Sequence, residues 1–349
     1  MDLELFPNIT PDDFELNSTK PFWELQRTGG RDLALGTNSA TVVAAQIQLA
    51  FPLIRFGLMV GIGGGVPSAT YPDIRLGDVV VSRPERTHSG VEQYDIGKAT
   101  PSGGFKRTGF LNAPPKILRN TVSHLTARHL RGEGRFLEYV AALSRLPTFT
   151  RDYAGLDILF ASNYDHVGGG SICDECDKTH VLHRPGRRAA QNISAIHYGT
   201  VASGNQVTRN AAERDCVSTD LGGVLCFEME AAGLMNEFPC LVIWGISDYS
   251  DSHKHKRWQP YAAGVAVAYA KELLSVIPST QVRETPAVEE IISSRERGAT
   301  TFSPTATTQR QRPQAQSTAV ARTTRGENKR TIPVDTHSSI EALFSSWER

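Results

Sequence analysis

Apolar, β-branched runs with little polar alternation occur at Leu53 to Val60, Asp78 to Ser82, Ile196 to Ser203, Val224 to Met229 and Leu241 to Ser247. Runs of this kind predict strands buried on both faces. Between and after them, apolar positions recur at helical spacing in Asn38 to Phe51, Pro115 to Leu130, Ala231 to Glu237 and Pro260 to Ile277. The last of these places Tyr261, Val265, Ala268, Tyr269 and Leu273 on roughly one face. Strands interleaved with helices predict an α/β domain over residues 31–280, with three layers and a central mixed β-sheet covered by helices. Residues 1–30 carry three prolines and no strand pattern and are read as an irregular segment. The composition changes near Pro278. From Ser293 to Pro333 the chain is rich in Ser, Thr, Gln and Arg with Phe302 as its only aromatic residue, so residues 281–349 are expected to be a mostly disordered tail. At its end Ile340, Leu343, Phe344 and Trp347 recur at helical spacing and predict one short helix.

Composition narrows the partners. Lys plus Arg is 37 and Asp plus Glu is 37, which gives no global pull toward nucleic acid or an anionic membrane. No stretch reaches the ~18 to 20 apolar residues that span a bilayer. The start, Met1-Asp2-Leu3-Glu4, lacks the basic and apolar regions of a secretory signal, and five cysteines are too few and odd in number for a disulfide framework. A reducing, cytoplasmic location is the expectation.

The segment Gly61-Ile62-Gly63-Gly64-Gly65, at the exit of the strand ending Leu58-Met59-Val60, is expected to be a loop in which a ligand can lie against backbone amides. It is not a dinucleotide fingerprint, because Val66 stands where the third glycine belongs and a second strand-like segment follows. It is not a phosphate loop of the Gly-Lys-Ser/Thr type either. A tight turn is the plain alternative.

Alternation along a strand sends Glu228 and Glu230 to the same side. Two carboxylates at a buried sheet end repel and lose hydration, so they persist where partners satisfy them. Vicinal ribose hydroxyls are one such partner; a cap or an ion pair with arginine is the other. Asp248 directly follows the apolar run Leu241 to Ile246 and Ser247. Strand carboxyl ends are where ligands bind in open α/β sheets, and an acid there can give a proton to a leaving group. The competing reading is a helix cap, with Asp251 three residues on.

Taken in order, several segments resemble the purine nucleoside phosphorylase and methylthioadenosine/adenosylhomocysteine nucleosidase superfamily, in particular the nucleoside phosphorylase-like domains of fungal multidomain proteins. They are Gly36 to Ala40, Val60 to Pro67, Asp73 to Val80, Ala202 to Val207, Glu228 to Leu234 and Ser247 to Lys254. The match covers about Leu33 to Pro278. The resemblance implies cleavage of the N-glycosidic bond of a purine nucleoside or nucleotide. In it, Met229 packs on the ribose and Glu230 holds its hydroxyls with Glu228 nearby. Asp248, after Ser247, protonates the purine N7. Ser203, Gly204, Asn205 and Val207 line the base pocket, and the loop containing Gly61, Gly63 and Gly64 faces the ribose and the attacking water or phosphate. General acid catalysis of this kind contributes roughly 10² to 10⁴ in rate.

Hydrolysis is favoured over phosphorolysis. Related phosphorylases hold phosphate with arginines near this loop, whereas Met59 and Ile62 flank the first glycine here and Arg55 stands roughly 13 Å from Met59 along the strand. His253, Lys254, His255, Lys256 and Arg257 are read as a solvated basic turn. The resemblance also implies an opening strand and a water-activating glutamate. The sequence before Leu33 is largely polar, with Glu24 the candidate for that glutamate, so an inactive nucleoside-sensing or interaction module is the alternative function. A homo-oligomer is implied by the resemblance, and no cofactor is expected. Cys173-x2-Cys176-x3-His180-x2-His183 offers four metal-ligating side chains. The interval between the pairs is shorter than in zinc fingers, so no metal is assigned to them.

Overall fold

The computed structural model describes residues 36–299 except 69–71, 86, 102–104, 169–171, 188–192 and 207, and only the backbone of 295–299. Glu24, Val207, the N-terminal segment and the terminal apolar stripe lie outside the described residues. In chain order the main elements are helix α1 (Thr37–Ala50), strands β1 (Gly57–Gly65), β2 (Val79–Ser82), β3 (Val91–Gln93), β4 (Gly97–Ala99) and β5 (Phe105–Arg107), and helices α2 (Lys116–Leu130), α3 (Phe136–Ala142) and α4 (Arg151–Ala154). They continue with β6 (Ile196–Gly199), β7 (Val201–Ser203), α5 (Ala211–Asp220), β8 (Cys226–Glu228), β9 (Cys240–Asp248), α6 (Trp258–Ser275), α7 (Ser279–Glu284) and α8 (Val288–Ala299).

Seven strands form one mixed sheet in the order β3-β7-β8-β1-β9-β2-β6. Strand β1 runs parallel to β9 and antiparallel to β8, and β9 is antiparallel to β2. Thr200 alone separates β6 from β7, yet β6 is an edge strand and β7 lies near the opposite edge. The sheet therefore curls on itself. Burial explains the unalternating apolar runs: the first eight residues of β9 and all of β2 are buried. Helix α6 covers β9 so closely that a side chain at Gly245 would overlap the Ala262 carbonyl. Tyr261, Val265, Ala268, Tyr269 and Leu273 face the core, as their spacing predicts. Among the described residues no helix is long and apolar enough to cross a membrane.

Three expectations need correction. The glycine run is strand, not loop: it forms the second half of β1 because the missing side chains make room for the Trp244 ring over Gly61 and for the Phe227 carbonyl 3.0 Å from the place of a Gly63 Cβ. The helix read over Ala231 to Glu237 shrinks to a single 3₁₀ turn at Ala231–Gly233, because the backbone of Thr37 packs where a Gly233 side chain would stand. Order also continues past residue 281. Val288 is buried and its amide donates to Ile54 O at 2.7 Å, while the Arg55 guanidinium donates to Thr285 O, so α7 and α8 brace the segment that enters β1.

Candidate functional site

Strand β1 is the ruler on which the candidate residues are arranged. Gly64 is paired with Phe227 of β8 on one edge and with Asp248 of β9 on the other. Two interstrand spacings thus separate the acidic segment from Asp248 in the backbone, about 10 Å. The pairing skips Ser247, because Gly63 is opposite Ile246 and Gly64 is opposite Asp248. This irregularity re-aims the strand end, as bulges beside sites do. A Cβ on Gly64 would lie 2.7 Å from Asp248 Oδ1 and would collide with Ser250 Oγ, so the glycine is what lets the acid reach across the strand.

The Asp248 side chain is 12% exposed. Its Oδ1 accepts from the Ser250 amide at 2.9 Å and lies 3.2 Å from Lys254 Nζ, and its Oδ2 accepts from Ser247 Oγ at 3.1 Å. Ser250 adopts a left-handed backbone (φ 51°), which is uncommon for a residue other than glycine and turns its amide back onto Asp248. Tyr249, between them, is buried. Its hydroxyl donates to Asp157 and accepts from Arg184 at 2.6 Å and from the Leu76 amide at 3.2 Å. Burial, with Asp157 beside it, holds that phenol far above its ordinary range, so it serves as a neutral anchor for the residue before it.

On the other edge, Ser203 of β7 is paired with Glu228 of β8, and Gly204 N donates to Glu228 O at 3.2 Å. Glu228 Oε2 accepts from the amides of Glu230 (2.9 Å) and Ala231 (2.8 Å), while Oε1 is buried with no hydrogen-bond partner among the described residues. Burial raises this carboxyl to about 7, and the charge of Glu230 adds to it against the Ser203 hydroxyl and the two amides. Burial also raises Glu230, opposed by the Met229 and Gly36 amides. The N-terminus of α1 therefore abuts the acidic pair. The Ser203 hydroxyl accepts from Ala232 N at 2.9 Å.

Because the native-state carboxyl of Glu228 sits above its ordinary 4.5, its contribution to stability is complete below about pH 4.5 and is lost as the pH rises through about 7. Glu228→Gln keeps an oxygen for the two amides and removes the buried charge. Urea denaturation should show the variant gaining on the parent by ~3 kcal/mol between pH 5 and pH 8.5. Parallel curves for the two proteins would contradict a buried, uncompensated charge.

The structure thus brings Ser203, Glu228, Gly64, Ser247 and Asp248 onto the adjacent strands β7, β8, β1 and β9, with Gly204, Met229 and Glu230 just past the ends of β7 and β8. It does not bring all the expected residues there. Gly61 packs beneath Trp244, on the opposite side from Gly64, and Gly63 sits against the Phe227 backbone. Asn205 is exposed, and its side chain is committed elsewhere: Oδ1 accepts from Thr37 N (3.1 Å) and Thr37 Oγ1 (2.9 Å), which caps α1, while Nδ2 donates to Asp95 at 3.2 Å. A cleft of about 1200 Å³ runs along β6 and the start of α5's exit turn, but neither Asp248 nor the glutamates line it.

The basic turn is solvated only in part: Lys256 and Arg257 are exposed, whereas Lys254 pairs with Asp248 and His253 turns inward. The histidines proposed from spacing also differ. His180 stacks on Tyr164 with centroids 4.2 Å apart and His183 is exposed, while His166 and His253 approach the cysteines. Spacing along the chain held no signal for His253, which lies 80 residues from Cys173.

No protein-family model matches the chain. A nucleotide-binding leucine-rich repeat (NLR)-like protein of Hyaloscypha variabilis is 45% identical over 249 residues, 69% of this chain and 24% of its own length. Among solved structures, the 5′-methylthioadenosine/S-adenosylhomocysteine nucleosidase of Neisseria meningitidis, in complex with methylthio-immucillin-A, aligns with a TM-score of 0.42 and 16% identity. That alignment covers 69% of this chain and 78% of the nucleosidase. Futalosine hydrolase of Helicobacter pylori aligns with a TM-score of 0.41 and 14% identity over 70% of this chain and 77% of its own. The chain is thus similar in fold to these two proteins, and in sequence to about a quarter of the length of an NLR-like protein.

Proposed function

We propose that this domain cleaves the N-glycosidic bond of a purine nucleoside or nucleotide, with water as the acceptor. The observation that carries the reading is the pairing of Gly64 with Phe227 on one edge and with Asp248 on the other. That pairing sets a sugar-binding edge and an acid about one nucleoside apart. Glu230, against the α1 N-terminus, accepts the ribose hydroxyls, and half-buried Met229 packs on the sugar. Asp248 delivers a proton to the base as the bond to C1′ lengthens and positive charge grows on the sugar. The Ser247 hydroxyl and Ser250 amide fix the orientation of its carboxyl.

Water is favoured over phosphate on the residues that precede and flank the start of the glycine run. Arg55 is tied to Thr285 at the entry end of the strand, and Met59 and Ile62 are apolar. Incubation of the full chain with adenosine, inosine, methylthioadenosine and ATP, with and without inorganic phosphate, tests the proposal. Free base released at a rate independent of phosphate is the expected result. Release only with phosphate would reverse the acceptor, and no release from any of the four would remove the catalytic reading.

One observation favours a second reading. The Lys254 ammonium sits on Asp248, and that pair must open before the carboxyl can serve a base. If it stays closed, the domain is a nucleoside-binding module without turnover. Calorimetry separates the two, since binding without base release selects the module.

A further inference from the structure

Between α4 and β6, residues 155–195 hold only the 3₁₀ turn Lys178–His180 and an isolated bridge between Phe160 and Val181 among the described residues. A stretch of this length with so little regular structure needs another source of order. It contains a cluster that the proposed glycosidic chemistry does not use. Ligand atoms of His166, Cys173 and Cys176 lie within 4.8 Å of one another, and Cys176 is buried. The Cys173–Cys176 segment is a tight turn, with Cys176 N donating to Cys173 O at 3.3 Å, which presents both sulfurs to one side. From a distant part of the chain, His253 Nδ1 lies 3.6 Å from Cys173 Sγ and 3.8 Å from Cys176 Sγ.

From these positions the structure assigns a tetrahedral zinc site to His166, Cys173, Cys176 and His253. Zinc–sulfur bonds of ~2.3 Å and zinc–nitrogen bonds of ~2.0 to 2.1 Å at a tetrahedral centre place N and S about 3.6 Å apart. The two His253 to cysteine distances meet that spacing. Each histidine also has one ring nitrogen on a backbone carbonyl, the arrangement that orients a zinc-bound imidazole. His253 Nε2 donates to Tyr164 O at 2.9 Å, and His166 Nε2 faces Ile172 O at 3.2 Å. Each carbonyl holds the proton on Nε2 and leaves the Nδ1 lone pair for a metal. The Phe160 ring stacks on His253 with centroids 4.1 Å apart and fixes its plane. Two thiolates and two neutral imidazoles balance the charge of a divalent ion, and this soft, tetrahedral donor set selects zinc over magnesium or calcium. With four protein ligands the coordination is closed, so the zinc is structural. It pins the irregular stretch onto the turn that follows Asp248.

Metal analysis of the full chain, purified under reducing conditions with zinc and passed through gel filtration, should give about one zinc per chain. Cobalt(II) in its place should give a thiolate-to-metal absorption in the near ultraviolet, which reads sulfur ligation in the unaltered protein. The Cys173→Ser/Cys176→Ser variant should lose that band and its zinc. His166→Gln should weaken zinc binding by about 100-fold while His180→Gln leaves it unchanged. Less than about a tenth of an equivalent of zinc on the reduced protein, a cobalt complex without the thiolate band, or a Cys173–Cys176 disulfide in the protein as isolated would overturn the assignment. Equal loss in the His166 and His180 variants would overturn the ligand set.

Discussion

Asp248→Asn should lower the rate of base release by roughly 10² to 10⁴ while leaving nucleoside binding within a few-fold of the parent. Asparagine is nearly isosteric. Its carbonyl oxygen can still accept from the Ser250 amide or the Ser247 hydroxyl, so the turn is preserved. What it lacks is, in the acid form, a proton to give to N7 and, in the ionised form, a charge to hold Lys254. Single-turnover measurement with the best of the four substrates, alongside calorimetric binding, separates the two contributions. A loss confined to kcat fits an acid that acts on the departing base. Turnover at the parent rate would show that Asp248 only shapes the turn, and the capping interpretation of its sequence position would then prevail.

The largest effect on stability should come from Asp78→Ala, a loss of ~3 to 5 kcal/mol. That carboxylate is 1% exposed and accepts from Arg187, from His197 Nε2 at 2.8 Å, from the Ala195 amide at 2.9 Å and from the Arg75 amide at 2.8 Å. Removing it leaves a guanidinium, an imidazole and two amides facing a cavity. Burial alone would raise the carboxyl, but His197 and Arg187 together outweigh it and hold the group below its ordinary value. A depressed carboxylate stabilises the native state above the unfolded value near 4 and loses that contribution as the pH falls below it. Thermal melts should therefore show the variant well below the parent at pH 7, by roughly 10 °C, with the gap narrowing in acid. An unchanged gap at pH 3 would show that packing rather than charge accounts for the difference.

Asp78 also shows which parts of the molecule were legible in the sequence. The segment Asp73-Ile74-Arg75-Leu76-Gly77-Asp78 contributed to the family resemblance, and its role proves to be structural. Asp73 and Asp78 hold Arg184 and Arg187, and Arg184 in turn holds the Tyr249 hydroxyl beside Asp248. The buried runs at Val79 to Ser82 and Leu241 to Ser247 were legible because strands covered on both faces need no alternation. The glycine run was misleading, since glycine commonly marks a turn. Tertiary contacts with Trp244 and Phe227, on the neighbouring strands, and pairing with both strands go with its extended form. Strands of three residues such as β3, β4 and β5 carry too little pattern to be read. The sequence placed Glu228, Glu230 and Asp248 at strand ends, and the structure connects them through β1. The order of Cys173, Cys176, His180 and His183 along the chain suggested one set of neighbours, and folding supplied another, because His253 arrives from beyond β9.

The position of β1 determines how the site can respond to an occupant. It is hydrogen-bonded to β8 on one side and along eight residues to β9 on the other, and α6 is packed against β9 without room for a methyl group at Gly245. Drawing Asp248 toward the glutamates by bending the sheet would break both ladders at the centre of the barrel-like curl. The distance between the two chemical ends is therefore preset before any nucleoside arrives. Under the proposed glycosidic function, accommodation to substrates of different length would fall to the side chains of Met229, Glu230 and Lys254 and to the segments that carry them, while the spacing itself would act as a fixed gauge against molecules of the wrong span.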